Sequence, residues 1–210
     1  MLSPVGVVPL EGRGDLPLAD LHGEPAFVHP VRALRAAGVP RVVVTTTDDL
    51  DSRVRQAVAL AGLDVELADG PTWWTGAPTQ QRLVLADPLC PLVPAEFVMR
   101  LLANASEDTA VAGFRPVTDT VKTVVDDRIA GTIDRESLAI VASPVVLPRR
   151  MPADEPPPAH DFALLVTWLR GLGRVELVEA PAIARRVADE SALRVLESLD
   201  AVGGARRPHA

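Results

Sequence analysis

The chain contains no tyrosine, one cysteine and one lysine, and aromatic side chains make up only 3% of its 210 residues. With Cys90 alone, an internal disulfide framework is excluded, and a reducing, cytoplasmic setting is expected. Positive charge is carried almost entirely by arginine, yet the formal net charge is -7, which argues against a general nucleic-acid binder. No apolar run approaches the roughly 18 residues that a membrane span needs. The N-terminal stretch lacks a basic region, and its short apolar run is broken by Pro4 and Pro9, so neither a signal peptide nor a membrane partner is expected. The four histidines lack metal-ligand spacing. What remains, 48% hydrophobic and 23% charged residues, fits one globular domain with a full core.

Short β-branched runs alternate with helical stretches, the pattern of a layered α/β fold. The run Val5-Gly6-Val7-Val8 reads as a buried first strand, followed by a helix over about 26–37 that ends at Gly38. Residues 41–46 read as the second strand, and Asp48 or Asp51 caps a second helix through Val54, Val58 and Leu60. Further strands are expected at 64–67, 82–87, 109–117 and 174–178. Helices are expected from Pro94 through Leu102, over 161–172, and over 189–199 with Leu193, Leu196 and Leu199 on the inner stripe. A proline-rich loop occupies 149–160. The expected organisation is one domain over 1–202, with a loose tail over 203–210.

The segment 121–133 reads as a β-hairpin with a polar turn at Asp126-Asp127-Arg128. A two-stranded hairpin alone is marginal in water, so this one needs something to pack on, and a partner subunit would serve. Thr118, Asp119, Thr120 and Lys122 at its start and Thr132, Asp134 and Arg135 at its end either converge on a phosphate or form a charged surface. Asp87 closes a strand at the carboxyl edge, where α/β sheets hold ligands. It is either a magnesium ligand or an ordinary solvent-facing aspartate. Trp73-Trp74 would stack on a base, anchor a partner, or plug the cleft, and Cys90 reads as buried structure rather than a nucleophile.

Asp119-Thr120-Val121-Lys122, Thr132-Ile133-Asp134-Arg135 and Ala142-Ser143-Pro144, in this order and spacing, resemble the 2-C-methyl-D-erythritol 4-phosphate cytidylyltransferase family. Its motifs there are D-T-[VM]-K, T-[VI]-D-R and T-P-Q. Toward the C-terminus Leu177-Val178-Glu179, Arg186-Val187 and Glu190 to Leu193 stand where the family has L-V-E-G, N-I-K-[IV]-T and P-E-D-L. The resemblance implies a Rossmann-like nucleotidyltransferase with a mixed sheet flanked by helices, and a projecting hairpin arm at about 119–138 that embraces a second subunit in a homodimer. It implies CTP and a phosphorylated sugar alcohol as ligands in isoprenoid-precursor synthesis. Asp119, Thr120 and Arg135 would bind the phosphorylated acceptor, while Lys122 and Arg186 would be catalytic, Arg186 standing where the family has lysine. Asp87 would hold Mg2+, and Gly12, Arg13 and Gly14 would form what remains of the nucleotide loop. Asp161 matches an acid of the family's T-D-[ED] segment.

The nucleotide half departs from that pattern. The loop P-A-A-G-x-G-x-R-M appears as Pro9-Leu10-Glu11-Gly12-Arg13-Gly14-Asp15, shortened and carrying two carboxylates, and the lysine that follows appears as Leu18. A carboxylate about 5 Å from a phosphate charge at an effective dielectric of ~20 costs roughly 3 kcal/mol. Losing a cation costs a similar amount, and each change weakens binding about a hundredfold. The base-reading G-G-x-x-R-x-x-S segment is replaced by residues 69–76, and Cys90 stands in place of an arginine. Three readings follow: a family member with weak or lost CTP use and a binding or regulatory role, an active nucleotidyltransferase, or an interaction module.

Overall fold

The computed structural model describes residues 3–70, 72–75, 81–151 and 156–204. The chain runs through β1 (Val5–Pro9), a 3-10 turn at Leu16–Leu18, β2 (Asp20–Leu21), β3 (Glu24–Pro25), α1 (Val28–Ala36), β4 (Arg41–Thr46), α2 (Asp48–Leu60), β5 (Glu66–Asp69) and α3 (Thr72–Thr75). Then come β6 (Leu83–Leu85), α4 (Ala95–Asn104), β7 (Thr109–Pro116), β8 (Val121–Val125), β9 (Arg128–Ile133), a 3-10 turn at Arg135–Ser137, β10 (Ala139–Val146), α5 (Phe162–Leu172), β11 (Arg174–Glu179) and α6 (Glu190–Gly204).

Seven strands form one sheet in the order β11-β7-β10-β6-β1-β4-β5. β1 pairs in parallel with β4 and β6, β4 with β5, and β7 with β11, so β10, antiparallel to both β6 and β7, is the one reversed strand of this sheet. The valine-rich runs become central strands because helices cover both faces. On one face Val8, Val42, Val44 and Val84 pack with Val31 and Leu34 of α1 and with Phe97 and Leu101 of α4. On the other, Val7, Val43, Leu85 and Val145 pack with α5 through Phe162, Leu165 and Leu169. Gly6 of β1 is glycine for a steric reason, since a Cβ there would sit 2.8 Å from Leu34 Cδ1. A third, smaller cluster docks α6, through Leu193 and Leu196, onto Leu21, Ala26 and Leu89.

β8 and β9 form a separate two-stranded sheet joined by a turn in which Asp126 and Asp127 both have positive φ, 48° and 57°. Positive φ at both central residues matches the twist of the flanking strands, so the turn closes a tight hairpin without glycine. Val124, Val125 and Ile129 on this arm are exposed.

Some expectations shift. β10 is a full strand over a stretch with no expected element, because the Ser143–Pro144 dipeptide masks its β pattern; there the register with β7 slips between Ala142 and Val145. Thr47, in extended conformation, is the N-cap of α2 rather than Asp48 or Asp51, which lie in its first turn. Leu60 and Leu199 are exposed, so neither lies on the buried stripe of its helix. α6 continues to Gly204, beyond the expected boundary at 202, and residues 205–210 lie outside the described residues. No helix among the described residues is long and apolar enough to cross a membrane.

Candidate functional site: a carboxylate between two guanidiniums

The site forms at the carboxyl edge of the central strands. After β1 the chain is tied to β4 by Leu10 N–H donating to Thr45 O at 3.1 Å. Gly12 (φ 72°) and Gly14 (φ 57°) then take left-handed conformations that glycine adopts without steric cost. Between them Arg13 turns inward, its side chain only 1% exposed. Its Nε donates to Asp87 Oδ1 (2.9 Å), its Nη1 to Glu11 O (2.9 Å) and its Nη2 to Ala159 O (2.9 Å). The guanidinium carbon also lies 5.8 Å from the Phe162 ring centroid, over its face.

Asp87 follows β6 and is 2% exposed, so it is neither a solvent-facing aspartate nor an open one. Its N–H donates to Ser143 Oγ of β10 at 2.8 Å. Oδ1 accepts from Arg13 Nε and from Leu89 N (3.1 Å), while Oδ2 accepts from Arg186 Nε at 3.0 Å. Arg186 is brought in by its neighbour Val187, whose N–H donates to Leu89 O at 2.8 Å. Its side chain remains 48% exposed, and its terminal amino groups bond no other described residue. The trio carries one negative and two positive charges, leaving a net positive centre with one guanidinium facing solvent.

The magnesium role expected for Asp87 does not fit this arrangement. A carboxylate offers about four acceptor positions. Three are filled here, two of them by cations that would repel a metal ion. Among the described residues no group of three or more His, Cys, Asp or Glu side chains is placed to hold a metal.

The remaining predicted residues fall in different places. Asp119, Thr120, Lys122 and Arg135 are exposed on the arm, where Lys122 Nζ donates to Thr132 Oγ1 (2.6 Å) and Arg135 Nη1 to Thr118 O (2.7 Å). None of the arm's hydrogen bonds among the described residues reaches Arg13, Asp87 or Arg186. Leu18 packs half-buried against the core cluster that α1 and α2 share, beside Arg53 and Ala57 of α2. Asp15 pairs outward with Arg53 of α2 at 2.5 Å. Asp161 caps α5, its Oδ1 accepting from Ala163 N and Leu164 N. Trp73 and Trp74, edge to face with centroids 5.6 Å apart, are buried with Val5, Val43 and Phe162, which supports the cleft-plug alternative. Much of the replaced 69–76 segment's continuation, residues 76–80, lies outside the described residues.

Ser143 and the carbonyl of Ala159 belong to the site and were not foreseen. The available signal for Ser143 was its hydroxyl, standing where the resemblance has threonine; a backbone carbonyl such as that of Ala159 leaves no trace in sequence. Cys90, beside Asp87, is fully enclosed. Burial, reinforced by the Asp87 charge, pushes its thiol up to about 12, against weaker opposing pulls from a Ser143 backbone hydrogen bond and the two arginines. It is therefore a protonated core residue at neutral pH. An aromatic disulfide reagent is expected to leave Cys90 unmodified in the native protein over hours and to titrate one thiol per chain in denaturant. Rapid native reaction would overturn its assignment as core.

A mixed α/β sheet with a glycine loop after β1, an aspartate after β6 and a hairpin arm between β7 and β10 defines a Rossmann-like nucleotidyltransferase. The model of the 2-C-methyl-D-erythritol 4-phosphate cytidylyltransferase family matches residues 15–154. The chain belongs to that family. It is 29% identical over 144 residues to the 2-C-methyl-D-erythritol 4-phosphate cytidylyltransferase of Cereibacter sphaeroides, covering 62% of this chain and 64% of that protein. It is 27% identical over 145 residues to a bifunctional enzyme of Erythrobacter litoralis, covering 60% of this chain but 35% of that one. The match thus spans less than two thirds of either relative's length. In structure it is similar to the 4-diphosphocytidyl-2C-methyl-D-erythritol synthase of Anaerococcus prevotii, with a TM-score of 0.73, 12% identity, and 95% and 96% of the two chains covered. The 2-C-methyl-D-erythritol 4-phosphate cytidylyltransferase of Thermus thermophilus gives 0.68 at 18% identity, covering 94% and 98%. The family match begins one residue past Gly14 and ends before Arg186, so the loop and the second guanidinium both lie outside it.

Proposed function

We propose that this chain is a phosphate-binding member of the family in which CTP-dependent transfer is weak or lost, and that it serves a binding or regulatory role. One observation carries the reading: Arg13, the loop's one cation, is buried and directs all three of its nitrogens to Asp87, Glu11 O and Ala159 O. A nucleotide loop works by presenting N–H groups and cations to the triphosphate. Here the cation is turned under the loop, the following lysine position is Leu18, and two tryptophans fill the sheet face beside it.

The ligand in this reading is a phosphorylated small molecule of the sugar-alcohol class. Arg186 contacts its phosphate from the body, and Thr120, Asp119, Lys122 and Arg135 approach from the arm of a second copy. The exposed Val124, Val125 and Ile129 supply the apolar surface by which that arm packs on its partner. The retained arm also favours a second reading, an active transferase. There the acceptor's phosphate oxygen attacks the α-phosphorus of CTP, pyrophosphate leaves, and Lys122, Arg135 and Arg186 offset the developing charge.

The two readings part on turnover. With CTP, 2-C-methyl-D-erythritol 4-phosphate and Mg2+, pyrophosphate release is expected to stay at least about a thousandfold below the ~10 s⁻¹ typical of enzymes. Calorimetric affinity for CTP is expected to be about a hundredfold or more below that for a working loop. Turnover at an ordinary rate would overturn the first reading in favour of the second.

A further inference from the structure

The Arg13–Asp87–Arg186 arrangement has a consequence for how an anion is received. A nucleotidyltransferase aspartate at this position is expected to present oxygen to a metal that bridges to phosphate. Here that carboxylate is an internal counter-ion, holding Arg13 at 2.9 Å on one oxygen and Arg186 at 3.0 Å on the other. The two guanidiniums are not equivalent. Arg13 is sealed, with each of its three nitrogens donating to an acceptor, whereas Arg186 is half-exposed and, among the described residues, bound through Nε alone. An arriving phosphate oxygen therefore meets the fork of Arg186, unbonded among the described residues, in the geometry by which arginine grips oxyanions in pairs of hydrogen bonds.

We infer that anion binding at this site is independent of a divalent cation, and that Asp87, through its hold on Arg186 Nε, competes with the anion for that guanidinium rather than serving as a metal ligand. The inference rests on the phosphate-binding reading above and specifies its chemistry. The charge supports it: the trio is already net positive, so a phosphate adds the missing counter-charge, while a dication beside two guanidiniums meets repulsion. A metal complex of the ligand is a poorer guest than the bare anion, because the metal cancels the charge that Arg186 attracts.

The sign of one substitution separates the two roles. If Asp87 held a metal, Asp87→Asn would abolish binding. As a competitor, its neutralisation releases Arg186 and tightens binding.

The test is calorimetric titration of the full chain with inorganic pyrophosphate, once in EDTA and once in excess Mg2+. The dissociation constant in EDTA is expected to be equal to or up to about tenfold lower than in Mg2+, a difference of up to 1.4 kcal/mol. Asp87→Asn is expected to tighten binding in EDTA by about three- to tenfold. Should that variant fail to fold, Arg186→Gln serves in its place. It leaves the buried Arg13–Asp87 pair intact and is expected to weaken binding in EDTA at least about tenfold. Binding seen only with Mg2+ overturns metal independence and leaves the phosphate-binding reading standing. Absence of binding under both conditions overturns both.

Discussion

Arg13→Met is expected to lower the free energy of unfolding by about 3–5 kcal/mol, the range found when one partner of a buried ion pair is removed. Both side chains of the pair are almost completely inaccessible to solvent. The substitution strands Asp87 Oδ1 with only the Leu89 N–H, and leaves Glu11 O and Ala159 O without the Arg13 donors that serve them. Arg186 holds the other oxygen but is itself half in water, where an ion pair is worth little. Arg13→Lys is expected to rescue only a fraction, because a point ammonium cannot reach three acceptors in different directions. Urea unfolding measures both. At this chain length the Met variant is expected to melt about 6–20 °C lower. A loss under about 1 kcal/mol would mean that the pair behaves as a surface contact and that Arg13 is free to meet a ligand.

Trp73→Ala is expected to cost a similar amount, about 3–5 kcal/mol, as large aromatic truncations in cores do. Trp73 and Trp74 lie in the cluster that joins β1, β4 and β6 to α5, and Phe162 of that cluster also lies beneath the Arg13 guanidinium. Removing an indole opens a void under the carboxyl edge of the sheet that rigid strands cannot close. A tryptophan waiting for a base or a protein partner would instead be dispensable, and its loss would change stability by no more than about 0.5 kcal/mol. Thermal unfolding of the variant decides between plug and platform. A neutral result would return Trp73 to the list of ligand contacts.

The fold was legible because its signals are local or periodic. Valine runs buried on both faces, glycines closing helices and a polar turn between two alternating segments all leave their marks within a few residues. β10 escaped because Ser143–Pro144 interrupts its pattern. The site was legible only in part. Asp87 and Arg186 were both picked out, yet as a metal ligand and a catalytic cation, not as partners of one another and of Arg13. Nothing in a linear chain reports that the guanidinium between Gly12 and Gly14 turns under the loop to meet an acid after another strand. That outcome is decided by backbone torsion at two glycines and by an acceptor carbonyl at Ala159. Leu18 illustrates the same limit: losing the lysine was evident, but its packing against the α1 and α2 side was not.

The contacts that fasten this site are separated by 74 residues between Arg13 and Asp87, 99 between Asp87 and Arg186, and 146 between Arg13 and Ala159. Closing loops of that size carries an entropic cost that rises with the logarithm of their length, so such links form after the local hairpins and helices are in place. Interactions absent from the folding transition state act on the rate of leaving the native state, with little effect on the rate of reaching it. The arginine–aspartate clasp is thus expected to act mainly on the unfolding rate, to be read from the unfolding limb of Arg13→Met against the parent chain. The protein is expected to draw its native-state lifetime from a clasp at the carboxyl edge of its sheet.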